Sequence, residues 1–322
     1  MNQLFKALGT TKQSFHQYHN RLLIRLEHEA YLVHLIEQIR VDHPSMGMRD
    51  MYYKLSPDNI GRDAFEELCR VHGYTVKRRK NLKKTTQSNG VKRFENLIVD
   101  MELTAPDQLW VSDITYFEVA GRFYYITFVL DVFTRRILGY SVSKRLFTEV
   151  TTLFALKMAI KTRNTTNYKG LIFHSDGGGQ YYDKEFLKLT RELGILNSMC
   201  KYAWENPYAE RVNGTIKNNY LQYYQIDNYD QLVKSVDRAV KLYNYEKPHI
   251  GLNRLSPCQF ENSIFVSGKQ TDGEKSATEL TNPEPERIQP FRLRGNKPQD
   301  QISLKNNKKS IVEHCQKTVN VI

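Results

Sequence analysis

The spacing of apolar positions divides the chain into a helical beginning, a strand-rich middle and a polar end. Over residues 22–40, apolar side chains recur every three or four positions, which predicts an amphipathic helix. The predicted helices of this first part span residues 2–8, 11–20, 22–40, about 47–55 and 61–72. Gly9 separates the first two. Each pair of short helices is compatible with a helix-turn-helix, although two amphipathic helices without a DNA contact explain the first pair equally well.

From about residue 97, β-branched and aromatic residues alternate with turn signals. The predicted strands span residues 107–120, 122–132, 137–143, 170–175 and 195–199. The predicted helices span residues 147–163, 183–193, 207–224 and 229–245. The first three strands form an antiparallel meander, and helices then alternate with the last two. This order predicts an α/β fold of the ribonuclease-H-like type, with a mixed five-stranded sheet and helices on both faces; another α/β topology is the alternative.

Beyond residue 265 the periodicity is lost. The segment is polar, rich first in Glu, Thr and Pro and then in Lys and Asn, which predicts disorder, or order only on binding. The chain is therefore expected to have four parts. They are a helical DNA-binding region at 1–75, a basic linker at 76–96, the α/β core at 97–264 and a polar tail at 265–322.

The charge of the chain is positive and unevenly distributed. The net charge is +12, and residues 1–94 hold 17 Lys and Arg against 9 Asp and Glu. The linker carries six cations, namely Lys77, Arg78, Arg79, Lys80, Lys83 and Lys84. Such a run favours contacts with DNA phosphates, which release counterions. A solvated linker, or a basic protein with no nucleic-acid role, is the alternative; we predict a flexible segment that lies on DNA.

The remaining composition excludes several classes of protein. Hydrophobic residues make up 40% and charged residues 25% of the 322 positions, an ordinary globular mixture. The four cysteines are far apart and form no CxxC pair, which argues against a zinc site. No apolar run is long enough to span a bilayer, and the first residues lack the apolar core of a signal peptide. We therefore expect a cytoplasmic, nucleoid-associated protein without a membrane partner.

Three acidic residues occupy positions that suit a shared site. Asp113 lies mid-strand among apolar neighbours, where a carboxylate is costly unless it binds a partner or a metal. Asp176 follows the fourth strand and precedes three glycines, which let a ligand approach the backbone. Glu210 lies near the start of a helix. In the predicted fold the first and fourth strands are adjacent and parallel, so both aspartates lie at one edge of the sheet, with the helix of Glu210 across it.

Clustered carboxylate oxygens are typical ligands of Mg²⁺ or Mn²⁺. Two such ions can bind the attacking and the leaving oxygen of a phosphodiester. Each residue alone has a simpler explanation: Asp113 could pair with a buried arginine, Asp176 could be a turn residue, and Glu210 an exposed helical charge. Their combination in this order of elements favours the metal site.

The helix of Glu210 carries two further candidates. Asn213 and Lys217 follow Glu210 by three and seven positions, so all three share a face, and a cation there can hold a DNA phosphate. A solvated stripe remains an alternative for Lys217. His174, Ser175 and Asp176 do not form one hydrolase relay together, because adjacent residues on an extended chain point to alternate faces.

Several segments, in order, resemble a known protein family. They are WVSDITYF, LDVFTRRILGYSVS, FHSDGGGQY, GILNSM, ENPYAERVNGTIKNNYL and YNYEKPHIGLNRLSPCQF. Together they resemble the second-frame protein of bacterial insertion-sequence transposases of the insertion sequence three family, which has a retroviral-integrase-like catalytic core. The resemblance covers about residues 5–262 and is strongest from 107 to 262.

The resemblance implies that Asp113, Asp176 and Glu210 are the catalytic, metal-binding triad, and that Lys217 matches the cation two turns after the glutamate. In this chain 33 residues lie between Asp176 and Glu210, two fewer than is usual in the family. Glu205 is the nearby rival, and we keep Glu210. The family also implies a homo-oligomer on DNA and a first-frame partner protein or frameshift fusion.

The sequence therefore predicts a transposase with two Mg²⁺ or Mn²⁺ ions. It would bind the ends of its element, cleave DNA and join the 3′-OH to target DNA. A non-catalytic DNA-binding repressor and a nuclease of the same fold without strand transfer are the alternatives.

Overall fold

The computed structural model describes residues 5, 7, 9–76, 93–200, 205–269 and 291–292. The chain divides into two compact units. One, called here the helical unit, comprises Met1–Lys84 and Gly214–Gln270, and the other, called the sheet unit, comprises Thr85–Asn213 and Thr271–Ile322. No helix in the described part of the chain is both long and apolar enough to pass through a membrane.

The described helices and strands follow one another as the sequence predicts in most places. The helices are α1 (Lys12–Asp42), α2 (Met48–Leu55), α3 (Arg62–Val71), α4 (Thr152–Arg163), α5 (Lys184–Glu192), α6 (Pro207–Asn219), α7 (Tyr229–Tyr245) and α8 (Pro257–Lys269). The strands are β1 (Glu102–Leu103), β2 (Leu109–Val119), β3 (Arg122–Asp131), β4 (Ile137–Ser143), β5 (Ile172–Ser175), β6 (Leu196–Met199) and β7 (Phe291–Arg292).

One long helix opens the helical unit. The prediction of separate helices at 11–20 and 22–40 was wrong, because no glycine or proline interrupts residues 12–42 and the helix continues through them. Its last third packs on α2 and α3 through Ile36, Met51 and Phe65, which are fully buried. A six-residue connection joins α2 to α3. Whether this pair enters a DNA groove stays a prediction.

The helical unit also includes residues that follow the sheet unit in sequence. Arg254 forms an ion pair with Asp50 at 2.6 Å, and the ring nitrogen Nδ1 of His43 lies 3.1 Å from the Tyr220 hydroxyl. The predicted core at 97–264 is therefore divided after Asn213 in the structure, because the later segment packs on the N-terminal helices. Helix α8 ends five residues beyond the predicted limit of the core.

The five-stranded sheet has the strand order β4-β3-β2-β5-β6. The pairs β2–β3 and β3–β4 are antiparallel, whereas β2–β5 and β5–β6 are parallel. Trp110 and Phe173 of neighbouring strands are buried in one core cluster with Leu156 of α4 and Phe186 of α5. The predicted ribonuclease-H-like fold with a mixed five-stranded sheet is confirmed, as are the adjacent, parallel first and fourth strands.

Helix α4 lies directly on β4 at a glycine. A Cβ atom built on Gly139 would lie 2.7 Å from the backbone nitrogen of Ala159 and closer still to the carbonyl oxygen of Ala155. Both atoms belong to the helix backbone, so no side-chain rotation relieves the clash.

We expect Gly139→Ala to lower the free energy of unfolding by about 1–3 kcal/mol, because α4 must move away from the sheet. Urea unfolding measures the effect. Gly179→Ala is the matched control in the same unit, since a Cβ there meets nothing within 4 Å. Equal stability of the two variants would contradict this packing.

The outer edge of β6 is covered by residues that precede the sheet. The backbone N–H of Met199 donates to the carbonyl oxygen of Glu95 at 3.3 Å, and the N–H of Leu97 donates to the Ser198 hydroxyl at 2.9 Å.

A separate two-stranded sheet is formed by β1 and β7, so the predicted tail contributes a two-residue strand. Its other residues beyond 269 lie outside the described part.

Candidate active site

The parallel pairing of β2 with β5 brings the two aspartates together. The ladder pairs Leu109 with Ile172, Trp110 with Phe173 and Val111 with His174. Two positions further in the same register, Asp113 is level with Asp176. Neighbouring strands lie about 4.8 Å apart, so the two carboxylates share one end of the sheet.

Helix α6 is attached to β2 by the side chains of one residue before and one residue after Glu210. The Asn206 amide donates to the carbonyl oxygen of Ser112 at 3.0 Å, and the Asn213 amide donates to Oδ2 of Asp113 at 2.9 Å. Pro207 occupies the first helical position, where its missing N–H costs nothing. These bonds fix the face of α6 that carries Glu210 against β2.

Asp113 interacts electrostatically with the other two carboxylates of the predicted site. Burial raises the pKa of Asp113 to about 7, and the negative charge of Asp176, followed by that of Glu210, adds to the rise. Burial also raises the pKa of Asp176 and that of Glu210. Glu210 is thus one of the two carboxylates whose charge raises the pKa of Asp113. Asp113 therefore lies within electrostatic reach of both Asp176 and Glu210.

A second buried aspartate, Asp131, has the hydrogen-bond and ion-pair partners expected of a carboxylate with a structural role. Asp131 accepts the backbone N–H groups of Thr134 and Asp107 at 2.8 and 2.6 Å and pairs with Arg163 at 3.4 Å. Among the described residues, the groups that oppose the high pKa of Asp113 are one backbone N–H and one amide, with no cation. No arginine of the described residues is seen to partner Asp113, so the buried-arginine alternative has no support in that part of the chain.

The glycines after Asp176 serve the backbone turn. The N–H of Gly178 donates to Oδ1 of Asp176 at 3.1 Å, and a Cβ on Gly178 would lie 3.1 Å from that same oxygen. The Tyr182 hydroxyl donates to the carbonyl oxygen of Asp176 at 3.2 Å. The Asp176 carboxylate is thus held from its own loop, and a larger residue at 178 would crowd it.

The donor set fits a divalent cation by its chemistry. Its members are oxygen ligands, and Asp113 and Asp176 raise each other's cost of ionisation in a way that a bound cation would relieve. No group of three or more His, Cys, Asp or Glu side chains in the described part is close enough to form a ready-made metal site. The pair Asp113 and Asp176 is the part of the predicted site that the fold itself aligns.

Of the predicted DNA-contact residues, Asn213 and Lys217 lie in the described part of the chain. The side-chain amide nitrogen of Asn213 donates to Asp113, and the Oδ1 atom of Asn213 is buried without a hydrogen-bond partner among the described residues. Lys217 lies in the last turn of α6, in the segment assigned to the helical unit. The basic run, Lys77, Arg78, Arg79, Lys80, Lys83 and Lys84, lies outside the described residues. DNA binding by these residues stays a prediction.

Sequence reasoning missed Asn206 as a residue of the site. It is buried, and its Oδ1 has no hydrogen-bond partner in the described part. The available signal was an asparagine directly before a helix-starting proline, which indicates a capping residue. The structure uses its amide to bind strand β2 instead.

Comparisons with known proteins show which family the chain resembles. Two family models, both described as an integrase core domain, match residues 104–203 and 195–257. An uncharacterized 31 kDa protein of insertion element IS600 from Shigella sonnei is 30% identical over 239 residues, covering 69% of this chain and 85% of the relative. The transposase for insertion sequence element IS629, from the same species, is 28% identical over 70% of this chain and 77% of its own.

Among solved structures, the HTLV-2 integrase catalytic core domain in complex with magnesium aligns at 22% identity with a TM-score of 0.40. It covers 49% of this chain and 97% of that one. The integrase core models include Asp113 and Asp176 in the first match and Glu210 in the second. On the sequence relatives and these models, the chain belongs to the bacterial insertion-sequence transposases with an integrase core domain, and the insertion sequence three family fits it.

Proposed function

We propose that this protein binds the ends of its insertion sequence, cleaves DNA there and joins the freed 3′-OH end to target DNA. The observation that carries the proposal is the position of Asp113 on β2 level with Asp176, which directly follows the adjacent parallel strand β5, with Glu210 near enough to act on Asp113. The family membership supplies the class of reaction.

Asp113 and Asp176 would hold divalent ions, and Glu210 would complete the ligand set. Two ions, Mg²⁺ or Mn²⁺, would supply positive charge to the attacking and the leaving oxygen of the phosphodiester. The protein's own part is to keep the carboxylates ionised and in place. Asn213 serves this end, because its hydrogen bond to Asp113 favours the charged form.

Both chemical steps can use one site. In the first, water attacks phosphorus and the 3′-oxygen leaves as a hydroxyl. In the second, that hydroxyl attacks a target phosphodiester and the target's own 3′-oxygen leaves. Each joining step breaks one phosphodiester bond and makes another, so no nucleotide triphosphate is required. The sequence has no GxxxxGK[ST] phosphate-binding loop, which agrees with this scheme.

Basic residues would hold the DNA beside the carboxylates. Arg93, nine positions after Lys84, lies with its guanidinium carbon 5.1 Å from the ring centroid of Tyr182. The hydroxyl of that tyrosine donates to the carbonyl of Asp176. The chain that follows the basic run thus enters the sheet unit near Asp176, which supports a role for the run in delivering DNA to the site. Lys217 would hold a further phosphate.

Transposition joins two ends, so we propose that the protein works as a homo-oligomer on DNA. A first-frame partner protein, or a frameshift fusion with it, is part of the same proposal. Both come from the family.

An assay with labelled end DNA, target DNA and Mg²⁺ tests the function. We expect nicking at the 3′ end of the element, followed by joining to target DNA. Binding without nicking would favour the repressor, and nicking without joining would favour the nuclease. Omission of the divalent ion should abolish both reactions and leave DNA binding in place, which separates the chemistry from recognition.

A further inference from the structure

The connection between β4 and α4 presents an aromatic ring to solvent beside cations. Residues 144–147, which read Lys-Arg-Leu-Phe, are all exposed, and Phe147 is 57% exposed. The guanidinium carbon of Arg145 lies 5.9 Å from the centroid of the Phe147 ring. Residues 144–157 hold three Lys and Arg against one Glu, a net charge of +2. Exposed aromatic rings among cations are typical of surfaces that bind single nucleic-acid strands.

This connection leaves the sheet at the end where the carboxylates lie. Strand β4 is parallel to β2, because both are antiparallel to β3. Phe128 of β3 lies opposite both Asp113 and Tyr140, so Tyr140 of β4 is level with Asp113. Strand β4 ends three residues later, and the connection therefore begins at the end of the sheet that holds Asp113 and Asp176.

Hydrogen bonds tie the connection to the loop that follows Asp176. The side-chain amide of Gln180, four residues after Asp176, donates to the carbonyl oxygen of Leu146 at 3.1 Å. The Thr152 hydroxyl donates to the carbonyl oxygen of Gln180 at 3.0 Å. A Cβ atom on Gly179 would meet nothing within 4 Å, so the space beside this part of the loop is open. A DNA strand bound at the carboxylates can therefore reach the exposed connection.

The backbone that carries Phe147 is held on both sides. The Ser143 hydroxyl donates to the carbonyl oxygen of Arg145 at 2.7 Å and accepts the Arg145 N–H at 3.0 Å. The Thr151 hydroxyl donates to the carbonyl oxygen of Phe147 at 2.6 Å. Because binding to a fixed segment costs little ordering entropy, this exposed ring is suited to hold a ligand.

We propose that Phe147 and Arg145 form a binding site for an unpaired DNA base next to Asp113 and Asp176. The base stacks on the Phe147 ring, and Arg145 holds a neighbouring phosphate. In a duplex the faces of paired bases are covered by their neighbours, so a base must leave the stack to reach the ring. Every base has such a face, so the site accepts any of them. The inference rests on the proposed function, which brings a DNA strand to the two aspartates.

Binding of a short single-stranded thymidine oligonucleotide, without divalent ions, tests the site apart from the chemistry. We expect Phe147→Ala to weaken binding of this strand by about tenfold or more, because stacking on the ring is lost. Phe147→Trp should keep wild-type affinity, and a duplex of the same length should bind all variants alike. Phe123→Ala is the matched control, because Phe123, near the start of β3 in the same unit, is 52% exposed.

Photocrosslinking with iodouracil in the same strand locates the contact. The wild type should give a crosslink at Phe147, mapped by mass spectrometry, that Phe147→Ala lacks. Arg145→Gln should reduce the slope of log affinity against log salt by about 0.7, the contribution of one phosphate on a single strand. All substituted positions are exposed, so the fold should be retained, which circular dichroism checks.

The nicking assay connects this site to the carboxylates. Phe147→Ala should nick fully paired end DNA about tenfold more slowly than the wild type. A mismatch at the nicking position should recover part of that rate, because an unpaired base costs less to extrude.

The outcomes separate this inference from the proposed function. Strand binding, crosslinking or nicking that is indifferent to Phe147 would overturn the base site and leave the proposed function standing. Absence of nicking by the wild type would refute the proposed function, whereas loss of strand binding in Phe147→Ala would still support the base site. A dimer of the wild type that dissociates in Phe147→Ala, with strand binding unchanged, would assign the surface to a second copy and overturn the inference.

Discussion

Asp176→Asn is expected to reduce both nicking and strand joining by about a thousandfold or more. The amide keeps an oxygen that can accept the Gly178 N–H, so the loop should remain in place. It loses the negative charge that would hold a divalent ion, and such an ion contributes several kcal/mol to the transition state. Product formation from labelled end DNA, measured at saturating Mg²⁺, gives the rate.

The matched control is Glu192→Gln, which removes one negative charge from an exposed position of α5 in the same unit. It should retain wild-type rates. Affinity of Asp176→Asn for end DNA should not fall, because phosphate contacts do not use this carboxylate. Asp113→Asn and Glu210→Gln should behave like Asp176→Asn. Wild-type nicking by Asp176→Asn would refute the assignment of the active site.

Without divalent ions, the protein should lose stability as pH rises from about 4 to 7. The raised pKa of Asp113, about 7, means that the folded state keeps a proton there that the unfolded state releases near pH 4. Between these values the folded state binds more protons, so stability falls with rising pH, and above about pH 7 the loss is complete. The shift corresponds to about 4 kcal/mol in the free energy of unfolding.

Urea unfolding in EDTA at a series of pH values measures this loss. Asp113→Asn has no proton to release, so the difference between its curve and that of the wild type isolates the contribution of this group. Mg²⁺ added at pH 8 should recover stability in the wild type more than in Asp113→Asn. Parallel pH curves for the two proteins would show that Asp113 does not carry the effect.

The strands and the alignment of the two aspartates could be predicted from the sequence, because both depend on local patterns. The strands predicted at 107–120 and 170–175 begin and end within two residues of β2 and β5. Once those strands were taken as parallel neighbours, Asp113 and Asp176 had to lie at the same end. The glutamate followed only from its motif.

Contacts between segments that are distant in sequence could not be predicted from local patterns. His43 meets Tyr220, and Arg254 meets Asp50, across about 200 positions of sequence, so nothing local assigns residues 214–270 to the helical unit. The hydrogen bond from the Asn206 side-chain amide to the carbonyl oxygen of Ser112 also joins residues that are far apart in sequence. The high pKa of Asp113 depends on burial, which a sequence pattern indicates without giving its extent.

The segment over β6 also bears on how the α/β part could be produced as a separate fragment. Bare edge strands recruit strands from other chains and lead to aggregation. Glu95 and Leu97 occupy this edge, although the matched integrase core begins only at residue 104. A truncation that starts at 104 would strip the edge and yield poorly soluble material, whereas one that starts before 93 keeps it shielded.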